Sequence, residues 1–112
     1  MLKFTVSKSE IEKKISIASS AIGSRTVDPI LQCLLFKPVN GHLKIHATDL
    51  QTSVISNIQV GEYEGNEAFA VDAELIDDIV KNLAEDEVTF DYSNGKLVVR
   101  SGKAKYSIAT VS

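Results

Sequence analysis

A single cysteine excludes a disulfide within the chain and fits a reducing cytoplasm. No apolar run approaches the ~18 residues that a membrane-spanning helix needs. The opening MLKFTVSKSE lacks the apolar stretch of a secretory signal. There is no nucleophile elbow, phosphate loop or zinc-ligand spacing. The two histidines, His42 and His46, are four apart on a predicted strand. That separates their α-carbons by ~13 Å, too far to chelate one metal readily. Cys33 sits in the apolar run 31–36 and is expected in the core. An enzymatic reading therefore lacks its parts, and no cofactor or metal is expected. Strong charge of one sign is lacking too. The net charge is −3 and the pI about 5.3. This argues against tight, non-specific DNA binding by the whole surface, although charge segregated by face would still permit a DNA partner.

What is present suits one compact domain with a modest core: 112 residues, 44% hydrophobic and 24% charged. A weak internal duplication runs through it. Phe4, Val6, Ile11, Ile15 and Ala18 match Phe69, Val71, Ile76, Val80 and Leu83, each 65 positions on (69 − 4). Ser7 falls on Asp72 at the same spacing, and both are good helix N-caps. The later parts match at a spacing of 54 (94 − 40), Asn40-Gly41-His42-Leu43 against Asn94-Gly95-Lys96-Leu97. The first half thus carries about 11 extra residues, best placed at 23–33.

Each half reads as strand, helix and three strands, with the pseudo-repeats at about 1–60 and 67–112. Helices are predicted near 8–22 and 73–83. Ser7 and Glu10 form a capping box at the first. Ile11, Ile15, Ala18 and Ile22 give its apolar stripe; Leu75, Ile76, Ile79, Val80 and Leu83 give that of the second. Strands are predicted at 3–6, 31–37, 42–47, 52–60, 68–71, 88–92, 96–100 and 105–110. Both Asn-Gly pairs suit tight hairpin turns with positive φ. Residues 61–66, GEYEGN, read as the link between halves. The expected architecture is α+β: two helices side by side, two antiparallel sheets behind them, and outer strands left as open edges that invite another chain.

Four ordered motifs resemble a known family. They are KFTVSKSE before an amphipathic helix; Arg25 shortly before Pro29-Ile30-Leu31; Thr48-Asp49-Leu50; and Arg100-Ser101-Gly102-Lys103 followed by Lys105-Tyr106-Ser107-Ile108. On a duplicated βαβββ frame they resemble the first domain of bacterial DNA sliding clamps, the beta subunit of DNA polymerase III. The resemblance covers essentially the whole chain. It implies the DNA-clamp fold and a non-catalytic processivity factor of the polymerase III holoenzyme. Two protomers of three such domains would join head to tail into a ring around duplex DNA. The expected partners are duplex DNA, a second clamp protomer, DNA polymerase and a clamp loader, in a cytoplasmic, nucleoid-associated setting, with no membrane. The chain stops where the first domain would end, so a piece of a longer protein is expected, or else a short homologue standing alone. The pocket for polymerases and loaders belongs to later domains in that family and is expected to be absent here.

The resemblance places Arg25, with Ser24 beside it, in a loop facing DNA. A guanidinium can bridge phosphate oxygens, and small neighbours let the backbone approach. Lys13 lies opposite the first helix's apolar stripe, and Lys81 away from the second's; both are expected on the channel face. Ordinary solvated surface roles are the alternative for these residues. Asp72, Glu74, Asp77 and Asp78 depart from the family's basic pattern and leave that face mixed in sign. Tyr106 and Ile108 alternate on the last strand and are expected at the protomer interface, with Lys96, Lys103 and Lys105 around them. A core Tyr/Ile pair with solvated lysines is the alternative. Asp49 is read as a turn former, not a catalyst. The competing function is a small α+β adaptor that binds a protein through its last strand and has no DNA role.

Overall fold

The computed structural model describes residues 1–20, 33–40, 42–48, 53–58, 60 and 63–111. In chain order these form β1 (Leu2–Ser7), α1 (Lys8–Ser19), β2 (Cys33–Val39), β3 (His42–Thr48), β4 (Ser53–Ile58), β5 (Tyr63–Gly65), β6 (Phe69–Asp72), α2 (Ala73–Lys81), β7 (Glu87–Ser93), β8 (Lys96–Ser101) and β9 (Ala104–Ala109).

The strands make two antiparallel sheets that exchange their first members. One has the order β5-β1-β7-β8-β9, the other β4-β3-β2-β6. So β1 joins the strands of the second half, and β6 joins those of the first. Alternation fixes which side of each strand is buried. Leu2, Phe4 and Val6 turn inward on β1, as do Phe69 and Val71 on β6. Phe4 pairs across the ladder with Phe90, and Phe36 with Phe69. Each pair stacks with centroids 4.9 Å apart. The core thus uses all four phenylalanines of the chain.

The helices lie against each other; α1 also packs on β1, β3 and β4, and α2 on β6. They bury Ile11, Ile15 and Ala18, and Ala73, Ile76, Ile79 and Val80. Their N-caps are equivalent. Ser7 Oγ accepts from Glu10 N at 3.2 Å, and Asp72 Oδ1 accepts from Leu75 N at 2.9 Å. Each bond satisfies one of the donors that a helix start leaves open. The Lys8 ammonium donates to the Leu83 carbonyl, tying the start of α1 to the chain just after α2. The helices therefore run antiparallel.

Several boundaries differ from expectation. Helix α1 ends at Ser19, with Ser20 as its C-cap; positions 21 and 22 of the expected helix lie outside the described residues. Helix α2 stops at Lys81, because the Asn82 side chain donates to the Asp78 carbonyl at 2.7 Å and its backbone N–H turns to Ile79. Leu83 is still buried. Leu75, expected in the apolar stripe, is exposed: the stripe is set by Ala73, Ile76, Ile79 and Val80, and Leu75 sits ~100° round the helix from Ile76.

The expected link 61–66 contains a strand. Residues Tyr63–Gly65 pair with β1 and form the edge of the five-stranded sheet. Gly65 has φ +95°, and a Cβ there would collide with the Met1 carbonyl, so the pairing requires glycine. Asn40 and Asn94 take φ of 46° and 51°, as tight Asn-Gly hairpins demand.

Candidate nucleic-acid interface

The side of the helix pair away from the sheets is a mixed, weakly charged surface. In α1 its exposed residues are Ser9, Lys13, Ser16 and Ile17; in α2 they are Glu74, Leu75, Asp78 and Lys81. That is two cations against two carboxylates. Lys81 is further engaged: its Nζ donates to Asp77 Oδ2 at 2.8 Å, one turn back. This hydrogen bond, then the Asp77 charge, raises the Lys81 pKa, and Asp78 and Glu12 of α1 add to it. Lys13 is exposed on the outer side of α1. Arg25 and Ser24 lie outside the described residues, as do Asp49 and Leu50.

One open edge is β9, at the end of the five-stranded sheet away from β5. Tyr106 lies opposite Val99, and Ile108 opposite Leu97, both inward residues of β8. Directly opposed residues share a sheet face, so Tyr106 and Ile108 continue the core layer to the sheet's end. Ile108 packs on the core, while Tyr106 is 36% exposed for want of a further strand. Lys105 pairs with Arg100 and Lys96 with Ala109, on the opposite, outer face of the sheet. Lys103 is exposed in the β8–β9 hairpin. The lysines thus flank the edge, while the tyrosine and isoleucine extend its apolar side.

Among the described residues no group of three or more His, Cys, Asp or Glu side chains could hold a metal. Cys33 is buried; burial and then nearby Asp72 push its thiol pKa up. No helix among the described residues is long and apolar enough to cross a membrane. Sequence reasoning missed the ion pair of Lys81, although its four-residue spacing from Asp77 was a readable signal.

Paired helices on one side, two strand-exchanged sheets on the other and an open strand at the end define a clamp-type α+β domain. The family model described as "DNA polymerase III beta subunit, N-terminal domain" matches residues 2–112, and the chain belongs to that family. It is 33% identical over 112 residues to a beta sliding clamp of Vibrio harveyi, covering 98% of this chain and 77% of that sequence. It is 34% identical to that of Vibrio cholerae, covering 98% of this chain and 30% of the relative. The crystal structure of the DNA polymerase III beta subunit from Thermotoga maritima superposes with a TM-score of 0.93 at 34% identity, covering 100% of this chain and 30% of that one. A clamp structure from Bacillus subtilis superposes at 0.92 with 24% identity, covering 98% of this chain and 31% of that one, which speaks for the fold alone. The chain thus spans about a third of most of these relatives.

Proposed function

We propose that residues 1–112 are one domain, built of two pseudo-repeats, of a non-catalytic processivity ring that encircles duplex DNA and tethers a polymerase. The observation that carries this reading is the placement of both helices on one exposed side, backed by sheets that leave β9 open. In a ring, the helices would line the hole and β9 would meet the next protomer. Lys13, Lys81, Arg25 and Ser24 would approach DNA phosphates. Tyr106 and Ile108 would extend an apolar layer across the protomer boundary, with Lys96, Lys103 and Lys105 steering a partner's acids into register. A clamp loader would open and close the ring, in the cytoplasm on nucleoid DNA.

The near balance of charge on the helix side fits this function. Each phosphate contact adds salt-sensitive affinity. A closed ring is held by topology and needs few such contacts. The test is to load the intact protein onto nicked circular duplex DNA with its loader, then cut the circle. Protein retained on the circle and lost from the linear form supports topological binding. Equal retention on both, or none despite an active loader, overturns it.

A further inference from the structure

The four-stranded sheet turns a second face outward, away from the helices. Its registers place Leu35, His46 and Ile55 in one row across β2, β3 and β4. The row continues through Ala70 of β6 to Val111, which bridges to Ala70 with its N–H donating to the Ala70 carbonyl at 2.8 Å. Leu35, Ile55 and Val111 are 36%, 55% and 38% exposed, among the largest apolar exposures of the described residues. At the ~4.8 Å spacing of neighbouring strands, Leu35 and Ile55 stand ~10 Å apart with the imidazole between them.

The next outward row is Lys37, Lys44 and Asn57, and His42 lies beyond it on β3. Both histidines and two lysines of the chain therefore share this face. Its described residues include one carboxylate, Asp72, which is taken up in capping α2. In a chain of net charge −3 this is a local excess of positive charge beside exposed aliphatics. Burial, then Lys37 and Lys44, hold the His46 pKa below its ordinary 6.5. At neutral pH the row therefore carries no charge, and Lys37 and Lys44 lie in the row beside it.

We propose that this outer sheet face docks an acidic peptide segment, whose aliphatic side chains cover Leu35 and Ile55 while its carboxylates meet Lys37 and Lys44. Charge complementarity selects the acid, and the exposed row selects the apolar anchors. Leu35, Ile55, Lys37 and Lys44 lie on the sheet face away from the helices, in the sheet that does not contain β9. Failure of the proposal would leave the ring reading untouched.

The experiment titrates the intact, isotope-labelled protein with a short peptide of glutamate and leucine, and with a matched peptide of glutamine and leucine. We expect amide shifts centred on Leu35, Lys44, His46 and Ile55 with the acidic peptide, and at least tenfold weaker binding of the glutamine peptide. Lys37→Glu with Lys44→Glu, and separately Ile55→Ser, should each weaken the acidic peptide by a similar factor. Shifts confined to the helix side or to β9, or affinity unchanged in both variants, overturn the proposal. Vesicles of phosphatidylcholine and phosphatidylglycerol form the other arm. Binding to them that the same variants abolish, without peptide binding, assigns the face to a lipid surface and also overturns it.

Discussion

Phe36 and Phe90 face each other across the two sheets with ring centroids 5.8 Å apart and planes tilted by 30°. Each stacks on the first strand of the opposite half, Phe36 on Phe69 and Phe90 on Phe4. They are equivalent positions of the duplication, meeting where the sheets approach. Phe36→Ala removes a fully buried ring that touches three others. Its cost should be about 3–5 kcal/mol, read as a lower urea midpoint. Phe90→Ala should cost a similar amount. The double variant should cost less than the sum, because the pair is in contact.

The two N-caps predict a matched pair of smaller effects. Ser7→Ala and Asp72→Ala each remove one side-chain acceptor from a helix start. Each should lower stability by about 1 kcal/mol. Thermal melts of the single and double variants measure both.

Asp77 restrains Lys81, so Asp77→Asn should free the ammonium for the DNA contact proposed for it. Binding of the unloaded intact protein to a short duplex should strengthen at low salt, and its log–log salt slope should steepen by about 0.9, one added phosphate contact. Adding Lys81→Ala should restore the original slope. An unchanged slope in Asp77→Asn would remove Lys81 from the proposed DNA contacts.

Tyr106 belongs to an edge and carries little of the core. Tyr106→Ala should leave the domain's melting temperature nearly unchanged. In the proposed ring, association between protomers of the intact protein should weaken by tenfold or more, about 1.4 kcal/mol. Sedimentation velocity at several concentrations reads this directly.

His46 gives a pH signature. Its folded pKa is lowered, by burial first and then by Lys37 and Lys44. The unfolded chain therefore binds the proton more readily. Its stabilising contribution is complete above pH 6.5 and is lost as pH falls through the lower folded value. Relative to His46→Gln, the wild type should lose stability as pH falls below 6.5 and through the lower folded value. Paired denaturant curves at several pH values test the sign.

Local chemistry makes much of this fold readable in the sequence. Ser7 and Asp72 announced the helix starts, the Asn-Gly pairs announced two hairpins, and helical spacing gave the buried faces of α1 and, Leu75 apart, of α2. Strand exchange left no such mark, because no residue of β1 specifies whether β2 or β7 lies beside it. The short strand at Tyr63–Gly65 escaped for the same reason: GEYEGN has no apolar alternation, and its pairing depends on Gly65 admitting the Met1 carbonyl. The Leu35–His46–Ile55 row is a property of register across three strands, whereas the segment around Leu35 reads by itself as plain core.

The exchange of first strands also sets a schedule for folding. Leu2 pairs with Tyr92 and Ser7 with Glu87, so the first strand made waits for its full-length neighbour, since β5 reaches only Leu2 to Phe4. At ~5–20 residues per second, the ribosome takes on the order of ten seconds to supply that neighbour. The loop that must close is correspondingly long, which slows the search. During that interval Phe4 has no Phe90 to stack on, and a chain interrupted after the first half holds a strand with no sheet to enter.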